Sequence, residues 1–228
     1  MAGHGVADKS DVLWVAFSQL GPTQFSIGEY AMMDKVKKMR KKAQSMKLEK
    51  YLLKRAAPAF KAIDGRFYIT DRHHTSRAAY ELYKAGESPL SAYPLVVDET
   101  LVALDLEDFF RELKKRGLIY SYLRGSRRPI STLPHTLDEL EDDAYRSLSW
   151  MVREAGGYDK VKVPYLEFLW ADYLRSKLFL SGGSQQELQS VLILALGHAR
   201  SLEARHLPGF KFQHGSFCGL NSLKASVY

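Results

Sequence analysis

Residues Asp64 to Tyr80 read DGRFYITDRHHTSRAAY, a reverse turn, a strand and a helix start in immediate succession. Such a stretch restricts the chain to folds in which a short hairpin feeds directly into a helix. Asp64-Gly65 predicts a two-residue hairpin turn with positive φ, joining the alternating runs Ala59 to Ile63 and Arg66 to Thr70. On the second strand Phe67 and Ile69 share one face, to cover a core. Arg66, Tyr68 and Thr70 share the other, free to approach a ligand. Beyond Asp71 the spacing of Ala78, Ala79, Leu82 and Tyr83 predicts a helix packed on the sheet, with Asp71 as its N-cap.

A helix start leaves amides without partners and carries the positive end of the dipole, so a phosphate or carboxylate binds there readily. His73 and Arg77 are four residues apart and His74 and Arg77 three, placing imidazole, guanidinium and backbone donors within reach of one anion. The Thr75 and Ser76 hydroxyls add to them. A purely structural reading stands evenly beside this one: Asp71 is a cap, the histidines are loop residues and Arg77 pairs with a remote acid. Zinc is disfavoured, because adjacent histidines diverge and no regularly spaced third ligand follows.

The hairpin, the strand ending in Asp71, the His73-His74 pair and the Arg77-Ala78 helix together resemble the ParB/sulfiredoxin superfamily, in particular its branch of ParB-like nucleases. Upstream, Leu20-Gly21-Pro22-Thr23-Gln24-Phe25-Ser26-Ile27-Gly28 resembles the Leu-x-Pro-Thr-Gln segment that opens that domain. The resemblance covers about the first half of the chain. It implies an α+β fold, a small mixed sheet with helices, and a phosphate site from Asp71 to Arg77.

It further implies nucleotide chemistry, with ATP or ADP and Mg²⁺ as cofactors, because partitioning proteins, sulfiredoxins and free-serine kinases of this superfamily hold nucleotide phosphates there. On that basis Asp71 orients the loop or assists Mg²⁺, and His73 and His74 contact phosphate or move a proton. Arg72, Thr75, Ser76 and Arg77 hold phosphate, while Thr23 and Gln24 lie on the substrate side. The favoured activity is that of a phosphate- or nucleotide-binding enzyme, a phosphotransferase acting on a small metabolite or a phosphohydrolase, with a nucleotide or phosphorylated small molecule as partner. The alternatives are a ParB-like nuclease or nucleic-acid-binding protein, and a small-carboxylate enzyme without phosphotransfer.

Departures from the family pattern narrow these choices. Arg72 precedes His73 where sulfiredoxins carry their cysteine, and the only cysteine is Cys218. Gln24 occupies the place of the carboxylate base of free-serine kinases, and an amide cannot take a proton. Glu29 is the substitute base, although Ser26-x-x-Glu29 reads better as a capping box. Arg72 also replaces the glycine that lets the backbone of many relatives approach phosphate, and the Gly-Glu-Arg-Arg box of partitioning proteins is absent.

At 228 residues and 46% hydrophobic content, the chain can bury one core or two small ones. No apolar run of membrane-spanning length occurs and Met1 to Asp11 is too polar for a secretory signal, so a cytoplasmic location without membrane partners is expected. The formal charge of +7 is local: ten cations face the single acid Glu49 between residues 35 and 55. Met33, Val36, Met39, Ala43 and Met46 predict the buried stripe of a helix there, with lysines on its solvated face. Because these lysines are not interleaved with stacking aromatics, nucleic acid is the less favoured partner.

Tyr93 to Val97 predicts a strand and Asp105 to Arg116 a helix stopped by Gly117. Arg124 to Pro129 reads as a basic surface loop. Thr136-x-x-Glu139 predicts the cap of a helix through Leu140, Ala144, Leu148 and Met151, ending at Gly156-Gly157. Asp142 and Asp143 then complement its dipole rather than bind a metal. A helix from about Pro164 to Leu180 and another after Gly182-Gly183-Ser184 complete a helical half, followed by a tail from Gly209. The expected organisation is an α+β domain over 1–130 and a helical subdomain over 131–228.

Overall fold

A computed structural model describes residues 12–211. Met1 to Asp11, Cys218 and most of the tail after Gly209 lie outside the described residues. The α+β half is built on β1 (Val12–Ala16), β2 (Leu20–Pro22), β4 (Ala57–Lys61), β5 (Phe67–Ile69) and β6 (Ala92–Asp98), in the order β1-β6-β4-β5-β2. The β1/β6 and β4/β5 pairs are antiparallel; β4/β6 and β2/β5 are parallel. β1 and β2 form opposite edges, yet only the 3₁₀ turn Phe17–Gln19 joins them. A flat sheet would hold those edges about 19 Å apart, beyond the ~14 Å reach of the connection, so the sheet curls.

The turn between β4 and β5 is one residue longer than its sequence predicts. Ala62 N–H donates to the Arg66 carbonyl and Gly65 N–H to the Ala62 carbonyl, leaving three loop residues. Positive φ falls on Gly65 (81°) alone, the signature of a type I turn with a bulge. The two faces of β5 also differ from expectation. Phe67 and Ile69 enter the core as predicted, but Tyr68 is buried on the other side, 4.9 Å from the Phe110 ring and 5.4 Å from Phe109. No ligand face remains there. Gly21 lies opposite Tyr68, and a Cβ on it would come within 2.6 Å of the ring.

Helices α1 (Glu29–Gln44) and α3 (His73–Lys84) pack on the sheet with α2 (Leu48–Leu53), burying Met32, Val36, Met39, Leu52, Ala78, Ala79 and Leu82. The α1 stripe is rotated from the predicted one: Met32 is buried, whereas Met33 and Met46 are exposed. On the opposite face α4 (Leu106–Lys115) inserts Phe109 and Leu113 against Phe25, Phe60 and Tyr68. Its N-cap Asp105 accepts the Asp108 amide, as its acidic first turn predicts.

The predicted helix at Thr136 starts later. Thr136 and Glu139 do hydrogen-bond, but they close only the 3₁₀ turn Leu137–Glu139. Leu137 and Leu140 drop into the sheet–helix core, and the next residues form β9 (Glu141–Asp142), parallel to β3 (Ser26–Ile27). α5 (Ala144–Glu154) then begins on Asp143, whose carboxylate accepts the Tyr145 and Arg146 amides. With α6 (Leu166–Lys177) and α7 (Gln185–Ala199), it encloses a second core in which the Tyr158 and Trp170 rings stack at 4.2 Å. No helix of the described residues is long and apolar enough to cross a membrane.

Candidate functional site

The His73-His74 pair connects two segments of backbone. Thr23 N–H donates to His73 Nε2 at 3.1 Å, and Gly28 N–H donates to His74 Nε2 at 2.9 Å. His73 therefore holds the middle of the Leu20 to Gly28 segment and His74 its end, and the two sequence motifs meet through these bonds. Burial lowers the His73 pKa to about 4 despite the opposing pull of the Asp71 charge. Burial, aided by the cations Arg146 and Lys35, pushes His74 well below its usual value. Both imidazoles are neutral acceptors with Nε2 already engaged. Neither Nε2 is left free for phosphate.

Other residues of the predicted pocket are similarly committed. Thr75 and Ser76 are buried, and the Ser76 hydroxyl lies against the Arg72 and His73 carbonyls. Arg77 Nε donates to Glu81 at 2.6 Å, while its other nitrogens meet the Leu137 carbonyl and Asp138. With Glu29, Arg77 lines a separate cleft of about 380 Å³ between α1 and α3. Gln24 is buried and donates to the Ser26 carbonyl at 2.6 Å, and the buried Thr23 hydroxyl donates to the Ile69 carbonyl. Ser26 and Glu29 form no capping box. Gly28 is the N-cap of α1, and Asp142, from β9, accepts the Glu29 amide at 2.7 Å.

Arg72 and Asp71 remain open to solvent. Arg72, rather than Asp71, is the N-cap of α3, and no side chain caps this helix. Asp71 turns back to accept the Arg72 amide at 2.6 Å. Arg72 adopts φ 67°, a left-handed conformation costly for a residue with a Cβ. Where a glycine would fit without strain, the fold holds a cation.

Two further cations converge on this point, and neither stands out in the sequence. Lys35 on α1 is half-buried without an ion pair among the described residues; burial first, then the charges of Lys38, Arg72 and Arg146, lower its pKa. Arg146 on α5 is buried, with Nη2 3.5 Å from Glu167 and with Nε and Nη1 unpartnered. Like charges gathered at an uncapped helix start repel one another, and a bound anion would relieve that repulsion. The third residue the sequence does not single out is Tyr165, the left-handed start of α6 (φ 56°), whose hydroxyl lies beside Thr23 within reach of the Asp71 charge.

Comparison with known proteins places the same region in a family. The family model described as "Putative ParB-like nuclease" matches residues 13–176, which span both helix starts and the cation cluster. The crystal structure of protein Atu1540 from Agrobacterium tumefaciens is similar at 30% sequence identity, covering 89% of this chain and 99% of that one, with a TM-score of 0.70. No curated protein matches the chain.

Proposed function

The chain belongs to the ParB-like nuclease family, and from that premise we propose that it is a nucleic-acid-binding protein whose phosphate contact is the start of α3. The observation that carries this reading is the grouping of Lys35, Arg72 and Arg146, whose charges act on one another, at a helix start without a side-chain cap. Arg72 makes the outer contact, α3 contributes its uncapped amides, Lys35 approaches from α1, and Arg146 supplies field from behind. The exposed lysines of α1 extend the positive surface along a backbone.

Phosphotransfer finds less support in this arrangement. The Gln24 amide bonds to the Ser26 carbonyl, His73 and His74 are neutral and engaged, and Glu29 lines the other cleft. Asp71 is the carboxylate next to the cations, and its side chain is 70% exposed. In a nuclease of this geometry it is the group to accept a proton from water or to hold a divalent ion beside the phosphodiester.

Fluorescence anisotropy with labelled single-stranded and duplex DNA at rising salt tests the proposal. Binding should weaken steeply with salt, and Arg72→Ala and Lys35→Ala should each lower affinity about tenfold and reduce the salt slope by about one. Absence of binding to both forms at low salt refutes it. A rise in melting temperature with ATP or ADP in that same case would return the reading to phosphotransfer.

A further inference from the structure

A second opening lies beyond Tyr165. It is a cavity of about 580 Å³ whose lining includes Tyr120, Tyr122, Tyr165, Lys114 and Arg127. That volume lies within the ~300–1,000 Å³ typical of ligand sites. The rings form a continuous group: Tyr122 is 5.6 Å and Tyr165 5.1 Å from Tyr120, which itself stacks on Phe168 at 4.1 Å. Phe168 and the Tyr120 hydroxyl, bonded to Asp172 at 3.0 Å, fix the floor. Tyr122 stays 42% exposed.

The cations are arranged with the rings. β7 (Tyr122–Leu123) and β8 (Ser126–Arg127) form a small hairpin whose turn residues Arg124 and Gly125 have φ of 51° and 79°. Its register sets Tyr122 directly opposite Arg127, so ring and guanidinium are cross-strand neighbours. Neither Arg127 nor Lys114 forms an ion pair among the described residues. Aromatic faces flanked by uncompensated cations are the combination that holds single strands, the rings taking bases and the charges taking phosphates. The basic helix α1 lacks this interleaving. Here the fold provides it.

Tyr165 ties this cavity to the α3 start, since it lines the one and lies within reach of the Asp71 charge in the other. We infer that the cavity is a base-stacking subsite for the unpaired bases of a single-stranded nucleic acid, with Tyr122 and Tyr165 as stacking faces and Lys114 and Arg127 on the flanking phosphates. The inference rests on the nucleic-acid reading above and adds strand type and polarity of contact to it. Phosphate binds at Arg72 and the neighbouring bases turn towards Tyr165 and Tyr122.

The test compares labelled oligo(dT) with an abasic deoxyribose-phosphate strand of equal length, by anisotropy on the full chain. Oligo(dT) should bind at least about tenfold tighter, since each stacked base contributes on that scale. Tyr122→Ala should weaken oligo(dT) about tenfold without affecting the abasic strand, and Tyr122→Phe should retain wild-type affinity. Arg72→Ala should weaken both strands alike. Equal affinity of the wild-type protein for the two strands overturns the stacking subsite and leaves the phosphate reading intact. Failure of both strands to bind overturns both, and the wild-type comparison decides even if Tyr122→Ala does not fold.

Discussion

The starts of α1 and α3 lie against one another in opposite states. Three amides at the start of α1 are met from elsewhere: Gly28 by His74, Glu29 by Asp142 and Tyr30 by Ser147. The start of α3 has no side-chain cap, a left-handed arginine and two further cations in its neighbourhood. His74 sits on α3 in sequence and serves α1 in space. A histidine beside a helix start therefore indicates a ligand only when its nitrogens are free, and the empty start is the informative one.

The largest expected effect comes from breaking the closed side. His74→Ala leaves the Gly28 amide without its acceptor and removes a packed ring, and should cost about 3 kcal/mol in urea denaturation. A loss below about 0.5 kcal/mol would show that the His74 ring does not hold α1. Acid should act on the same contacts. His73, neutral when folded with a pKa of about 4, takes up a proton in the unfolded chain near its ordinary value, so it favours unfolding as pH falls below that value. Its contribution should decline from about pH 6.5 and level off near 4, on the order of 3 kcal/mol in all. His74 adds a loss of the same sign. Stability curves of His73→Gln between pH 7 and 4 should be flatter than those of the wild type.

Smaller changes sharpen the contrast. Ser147→Ala removes the acceptor of the Tyr30 amide and should cost about 1 kcal/mol. Arg72→Gly should move the other way. Relief of the left-handed strain, roughly 1–2 kcal/mol, is partly offset by glycine's extra backbone entropy, roughly 0.5–1 kcal/mol. A net gain near 0.5 kcal/mol in denaturation, together with weaker DNA binding, would mark a residue retained against its own stability.

Elements decided locally were legible in the sequence. β6, α4, α6 and α7 follow from turn residues, caps and periodicity within a few positions, and the α+β class with a helical C-terminal half follows from their order. Elements decided by remote contacts were not. Thr136 and Glu139 bond side chain to side chain rather than as a capping box, and pairing of residues 141 and 142 with β3 delays the helix. Ser26 and Glu29 have the spacing of a box, but Asp142 takes the amide. Tyr68 alternates correctly and is still buried, because α4 covers the second face of β5.

The site divides in the same way. Arg72 could be singled out from its place in the motif. Lys35 was one of ten cations in its stretch, Arg146 resembled any helix-surface arginine, and Tyr165 carried no signal of its left-handed backbone. Only the approach of α1, α5 and α6 brings them together. The nucleic-acid partner was the less favoured one because the lysine-rich helix lacks aromatics; the rings that supply them stand on another part of the chain, in the hairpin at Tyr122 and the start of α6.

The pairing of β3 with β9 joins positions more than a hundred residues apart, 113 between Glu29 and Asp142. During synthesis at roughly 5–20 residues per second, α1 emerges on the order of ten seconds before the strand that completes its start. Through that interval the nascent N-terminal portion carries amides and an apolar seam awaiting their cover. A ribosome halted near residue 130 would display an intermediate recognisable to chaperones, and release from that vulnerability would come only when the segment around Asp142 clears the exit tunnel.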